Sequence, residues 1–453
     1  MPRAATAPVQ TLLPNGVRAL VLPMPERQTA AVSVFVRCGS QHEPRVLNGI
    51  GHVVEHMVFK GTRTRDAARI NLDAESLGAE VNAHTDKDHS AFHLHGLAAD
   101  ATRFVQLLAD LLLAPTFPAD ELERERQVLL QEFAEDEDDP MATAYRLFDH
   151  AAWRSHPAIG RRGNVERLAR EDLQRWVGAH FNGANLIVAA AGPMNPDAWL
   201  REAERAFGAA PAGTPAQLAA PVWGGGVRTR QLAGSSQSHL VLGWPVPPLA
   251  ADDPTAELAA VLFGEGMSAP LMAELRETRG LVYYAACAAD VLDGSGSWVV
   301  EASCAPQRLD ELLAALPPLL QAQAERIDAQ ALARARGQLA VRWLPQDERP
   351  ARRLEAAALA LFALGRVRGS AERLARAEAV DAAALALFAL GRVRGSAERL
   401  ARAAAAIAAA LAGHFARMVD TGAAAGLSGQ LGRHATARVQ AGLGGLLRRP
   451  IAQ

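Results

Sequence analysis

Cysteine is scarce in this sequence: Cys38, Cys287 and Cys304 are the three in 453 residues. So few, and so scattered, exclude a disulfide framework and a cysteine-rich metal site, and they suit a reducing compartment. Excess charge is missing too. With 47 basic against 49 acidic residues the formal net charge is -2, which removes the case for a general nucleic-acid binder. No stretch of about eighteen apolar residues runs free of charges or punctuating glycines, so no membrane span is expected. An apolar segment ahead of Thr11 is also lacking. With no secretory signal visible, a cytoplasmic chain is the expectation. Lysine is nearly absent, with only Lys60 and Lys87. That skew toward arginine, in an alanine-rich chain, reads as coding bias, so a single arginine carries little weight.

What is present is a repeated plan of strands and helices. Leu12 to Leu22 reads as strand, Pro-Asn-Gly turn, strand, and Ala30 to Arg37 as a buried β-branched strand. Gly49 to Phe59 and Ala67 to Leu77 read as helices, Glu80 to Ala83 and Ser90 to Gly96 as paired strands. Thr102 to Leu113 and Asp120 to Glu137 are helical, and Asn185 to Ala191 is a closing strand. The Ala/Gly/Pro-rich stretch 209–228 is the best linker. Beyond it the order restarts: a strand at Ser238 to Gly243, a helix over Pro254 to Glu277, strands at Leu281 to Ala289 and Trp298 to Ser303, then a helix over Leu309 to Ala324. The expectation is an α+β protein of two homologous domains, 1–208 and 229–453. A different repeat follows. Residues 356–377 recur identically at 382–403, too perfect for an old structural repeat and too few for a solenoid. After Ala403 no obvious counterpart of the closing strand appears, which leaves 404–453 the least readable part.

The sharpest chemical signal is His52-Val53-Val54-Glu55-His56. On a helix, positions i and i+4 share a face, so both imidazoles reach one metal ion and Glu55 lies beside them. The order His-x-x-Glu-His is the inverse of the commoner zinc-protease helix. The plain alternative is a pair of partly buried histidines next to a carboxylate. A catalytic zinc takes three protein ligands and keeps one open position. The helix over Asp120 to Glu137 offers Glu125 and Glu132, seven residues apart and so on one face.

Here the chain resembles the pitrilysin/insulinase family of zinc metallopeptidases, M16, in its bacterial, mitochondrial-processing-peptidase-like form. The likeness rests on Asn48-Gly49, on His52 to Thr62, on Glu125 to Glu132 with Asp138-Asp139-Pro140 beyond, and on Gly264-Glu265-Gly266-Met267-Ser268 followed by Leu275 to Tyr283. By that resemblance His52, His56 and Glu132 bind Zn2+, Glu55 is the general base and Glu125 supports the site. Asn82 and Ala83 fall on the edge strand where a peptide substrate adds as a further strand. Arg276 and Tyr283 hold the substrate and stabilise the developing oxyanion. His84, His89, His93 and His95 lie in the same region. A second metal site is open there, but no carboxylate stands at ligand spacing, so a solvated or packed strand face is the reading kept.

The resemblance implies a metalloendopeptidase that hydrolyses short or unfolded peptides by Glu55-assisted attack of a zinc-bound water. The alternative is a non-catalytic or partner-dependent subunit that serves as a scaffold. Peptides are the expected partners, with neither nucleic acid nor membrane. Because one chain holds both the metal helix and the Arg/Tyr pair, a homodimer is the simpler assembly; a heterodimer with an inactive homologue is the other. The acidic run Glu135 to Asp139 is expected to be a solvated helix end.

Overall fold

The computed structural model describes residues 7–153, 158–218, 221–325, 329–368, 372, 375, 423–432, 434–443 and 446. It resolves into two compact units. The first comprises Met1–Glu135, His156–Ala219 and Pro345–Ala371. The second comprises Asp136–Ser155, Ala220–Leu344 and Glu372–Gln453.

The first unit is built on β1 (Val9–Leu12), β2 (Arg18–Pro23), β3 (Thr29–Val36), β4 (Glu80–Thr85), β5 (Ser90–Leu97) and β6 (Leu186–Gly192). They form one six-stranded sheet in the order β1-β2-β6-β3-β5-β4. Only the β2–β6 pair is parallel. The apolar, partly β-branched run of β3 is buried on both faces, as suits an interior strand. Alternation sends Val32, Val34 and Val36 to one face, where they meet Leu94, Phe104, Val53 and Met57 in the larger core. Ala31 and Phe35 point the other way.

The helices of this half of the chain are α1 (Ile50–Met57), α2 (Ala67–Ser76), α3 (Ala101–Leu113), α4 (Ala119–Asp138), α5 (Pro140–Ala152), α6 (Arg162–Val165), α7 (Arg170–His180) and α8 (Pro196–Phe207). Residues of α1, α3 and α8 build the larger core. The opposite face is closed by Leu354, Ala357, Ala358 and Leu361. These belong to α13, defined below, which comes from far along the chain.

The second unit holds β7 (Gly226–Gln231), β8 (Ser238–Pro245), α9 (Thr255–Gly264), α10 (Pro270–Met272), β9 (Val282–Val291), β10 (Gly296–Cys304) and α11 (Leu309–Glu325). Along the chain α12 (Ala329–Glu348) follows, then α13 (Pro350–Leu364), which belongs to the first unit, and then β11 (Ala424–Gly429) and α14 (Ala435–Leu443) of the second. Its five strands run β7-β11-β8-β10-β9, with only β7–β11 parallel. Strand for strand this repeats β2-β6-β3-β5-β4, so the α+β expectation of two sheet-plus-helix domains holds. Trp244 and Trp298 fill the core on one face. On the other, Ala144 and Phe148 of α5 pack on Val241, Val299 and Ala424.

Three readings need correction. The closing strand thought missing after Ala403 is β11, which pairs parallel with β7 and antiparallel with β8. Its sequence, Ala-Ala-Gly-Leu-Ser-Gly, has no β-branched or aromatic residue to announce a strand. The tight packing explains why: a Cβ on Gly426 would lie 2.1 Å from the Ala144 carbonyl oxygen, so α5 can approach only a bare backbone. The helix expected over Pro254 to Glu277 breaks after Gly264, turns through Gly266 at φ +86°, and restarts at Pro270 before a π-helical turn, Ala273–Thr278. The acidic run is more than a solvated end. Asp139 caps α5 by accepting from the Met141 and Ala142 amides at 2.7 and 3.1 Å, and Asp136 pairs with Arg146. Of the identical repeat, residues 369–371 and most of 372–377 lie outside the described residues, as does all of 382–403.

Candidate metal centre

Helix α1 is short, begins after Gly49 in the left-handed region (φ +104°), and buries Ile50, Val53, Val54 and Met57. That apolar stripe fixes its rotation and turns His52 and His56 together toward α4. The helix entry is held by Glu43. Its carboxylate accepts from the Asn48 side chain and the Gly49 amide at 2.7 Å each, and from the Gly51 amide at 2.8 Å. A carboxylate on the first free amides of a helix complements the positive end of its dipole. Burial pushes the Glu43 carboxyl up to about 7, against the opposing pull of those three bonds. Asn164 adds a second tie, donating to the Arg45 and Asn48 carbonyls at 2.9 and 3.1 Å.

The donor atoms converge. His52 Nε2 and His56 Nε2 are 3.2 Å apart. Glu132 Oε2, from α4, lies 3.4 Å from the first and 3.7 Å from the second. Donors bound at about 2.0–2.1 Å to one tetrahedral ion stand roughly 3.3 Å apart, the edge of the tetrahedron. The set and spacing fit a zinc ion with an open position. Burial, then the neighbouring His56, lowers the His52 imidazole to about 4, while the Ile159 carbonyl pulls weakly the other way. His52 is therefore neutral at pH 7, with a lone pair to give.

Around this triad the support is built in sequence. Glu125, one helical face with Glu132, bonds His56 Nδ1 through Oε1 at 2.9 Å and holds Lys60 Nζ with Oε2 at 2.6 Å. Burial alone would raise the Glu125 carboxyl, but Lys60 and His56 outweigh it and hold it below the usual range. Proton on Nδ1, lone pair on Nε2: a carboxylate behind a ligand histidine sets that tautomer. Glu55 is half-buried beside the histidines, and burial raises its carboxyl despite a hydrogen bond from Thr85 of β4 and the nearby His56, with Glu132 adding to the rise. Among the described residues its Oε2 is buried without a hydrogen-bond partner.

The remaining expected residues fall as follows. Asn82 and Ala83 lie on β4, the last strand of its sheet, paired on one side with His93 and Phe92 of β5. No further strand lies beyond β4 among the described residues. Asn82 Oδ1 accepts from the Ala83 amide at 2.8 Å. Arg276 and Tyr283 belong to the second unit, where the guanidinium sits 4.9 Å from the centre of the tyrosine ring. Tyr283, on β9, the counterpart of β4, is 81% exposed. Sequence reasoning missed Glu43, Lys60 and Thr85 as supports. Lys60 alone carried a signal, as one of only two lysines.

Comparison with known proteins agrees with this architecture. The family model described as Insulinase (Peptidase family M16) matches residues 19–161, and that described as Peptidase M16 inactive domain matches 167–339. An uncharacterized zinc protease of Mycobacterium bovis is 32% identical over 334 residues, covering 71% of this chain and 76% of its own. A probable mitochondrial-processing peptidase subunit beta of Schizosaccharomyces pombe is 35% identical over 205 residues, 44% of each chain. Among solved structures, a protease from Helicobacter pylori superposes with a TM-score of 0.75 at 19% identity, over 93% of this chain and 99% of that one. The family model and the relatives named zinc proteases support a protein of the metallopeptidase class. The chain belongs to the insulinase family, peptidase family M16. Among the described residues no helix is long and apolar enough to cross a membrane.

Proposed function

We propose that this chain is a zinc endopeptidase acting on short or unfolded peptides, with His52, His56 and Glu132 as ligands and Glu55 as general base. The observation that carries the reading is the three-donor cluster at tetrahedral spacing with the half-buried Glu55 carboxyl beside it. A zinc ion held there would polarise the scissile carbonyl and bring the pKa of a water toward about 7. Glu55, raised above an ordinary carboxylate, accepts the proton of the attacking water and passes it to the leaving amine. The free edge of β4 at Asn82 and Ala83 takes the peptide backbone as an added strand. Tyr283 and Arg276 offer a hydroxyl and a guanidinium to the oxyanion. The working assembly is a homodimer in the cytoplasm.

The test is Glu55→Gln. Zinc content should be retained while cleavage of a quenched-peptide panel falls by about 10²–10⁴-fold. Undiminished, chelator-sensitive turnover in a folded Glu55→Gln protein would remove Glu55 from the mechanism. Zinc bound without any cleavage of the panel by the wild type would favour a scaffold subunit instead.

A further inference from the structure

The sheet face opposite the metal helix carries a second convergence of donors. Alternation along β4 puts Val81, Ala83 and Thr85 on the α1 side and Asn82 and His84 on the other, the side that α13 covers. There His84 Nε2 lies 3.4 Å from His89 Nε2 and 3.8 Å from Glu355 Oε1, and all three donors fall within 4.8 Å of one another. In the sequence no carboxylate stands at ligand spacing from these histidines. Glu355 arrives from α13, which only the fold brings to this face.

We propose that His84, His89 and Glu355 form a second divalent-cation site, for zinc or a similar borderline metal that favours imidazole with carboxylate. Three features beyond proximity support it. The first is tautomer. His89 Nδ1 is 2.7 Å from Asp88 Oδ1, an acceptor-only group, so Nδ1 carries the proton and Nε2 turns its lone pair into the cluster. His84 Nδ1 is 3.2 Å from His93 Nε2, whose own Nδ1 is 2.8 Å from Ser33 Oγ. That chain leaves His84 Nε2 facing His89 Nε2 as well. With the His84 proton on Nδ1, both Nε2 lone pairs face one gap of 3.4 Å, the arrangement that a cation between them resolves. This is the arrangement of His52 and His56, with a carboxylate behind one ring there too.

The second feature is the carboxylate. Arg352 Nη1 holds Glu355 Oε2 at 3.0 Å, which orients Oε1 toward the imidazoles. Outer partners of this kind fix ligands in known metal sites. The third is a way in. Glu355 and Arg352 line an open cavity of about 560 Å³ with Arg349 and Gln346, so the carboxylate is reached from solvent. The second site would clip the β4–β5 hairpin to α13.

The experiment is zinc equilibrium dialysis of the full metal-stripped chain, counted by mass spectrometry. Wild type should take up two ions. His52→Ala with His56→Ala should leave one, and in that background Glu355→Gln should weaken the remaining ion by at least about tenfold. His84→Ala should abolish it, with circular dichroism confirming the fold. In the same background zinc should raise Tm, and the rise should vanish with His84→Ala. A single ion in the wild type, lost with His52→Ala and His56→Ala and untouched by Glu355→Gln or His84→Ala, would overturn the proposal. A single ion that instead depends on Glu355 and His84 would support this site and refute the one under Proposed function.

Discussion

Consider Glu125→Gln. The carboxylate makes two contacts, to His56 Nδ1 at 2.9 Å and to Lys60 Nζ at 2.6 Å, and is 7% exposed. Gln keeps the shape and can still accept one hydrogen bond, but it removes the charge that makes Nε2 of His56 electron-rich. It also leaves the Lys60 ammonium uncompensated a short way from a divalent ion. A charge-assisted hydrogen bond contributes about 1.5–3 kcal/mol. Its loss corresponds to roughly a 10–100-fold weaker zinc affinity, the range seen for carboxylates behind ligand histidines. The assay is competition for zinc against a chromophoric chelator at pH 7.5, with wild type and Glu125→Gln side by side. Lys60→Met added to Glu125→Gln should recover part of the loss, because the orphaned cation is gone. Two outcomes would refute the reasoning: an unchanged zinc affinity in a folded Glu125→Gln protein, or a Lys60→Met addition that weakens binding further.

Other consequences can be measured independently. The Glu43 carboxyl is pushed up to about 7 by burial, from an ordinary 4.5. Between those values the folded chain keeps a proton that the unfolded chain has lost, so stability falls as pH rises through that window, by about 3 kcal/mol in total. Glu43→Gln should flatten that part of the profile in urea unfolding at pH 5 and pH 8; an identical slope in both proteins would discredit the assignment. Gly426→Ala would set a methyl against the Ala144 carbonyl and the Phe148 amide of α5. A loss of about 1–3 kcal/mol is expected from the overpacking, and a Tm equal to wild type would mean that α5 does not rest on β11 as described. Strong chelation should abolish peptidase activity and zinc should restore it, which a cleavage assay before and after dialysis reads directly.

What could be read from the amino acids divides along a physical line. Helix α1, the Glu125/Glu132 face of α4 and strand β4 were legible because each rests on local periodicity, where neighbours in sequence are neighbours in space; the edge position of β4 came from resemblance. The pairing of Asp120–Glu137 with His52 and His56 was legible through resemblance, which stands in for a long-range contact. Strand β11 was not, since alanine and glycine carry no strand signal and its place is set by the packing of α5. Glu43 was not either. Its role depends on a buried loop closing back onto the first amides of α1, and nothing in Gln41-His42-Glu43-Pro44 distinguishes it from an exposed turn.

Glu355 is the extreme case, and it shows why the histidines of the β4–β5 hairpin looked inert. A ligand triad needs only that three side chains meet, and a helix closing the far face of a sheet can supply the third from anywhere in the chain. Because successive residues of β4 alternate between faces, the same strand serves two clusters. Thr85 bonds Glu55 on the α1 side, and His84 meets His89 and Glu355 on the α13 side. The free edge between them, at Asn82 and Ala83, is the edge on which a peptide would align. Its position is then fixed from both faces at once. Metal at the second cluster would stiffen the strand without touching the substrate, so its loss should raise KM for peptides before it lowers kcat, the split expected of a positioning element.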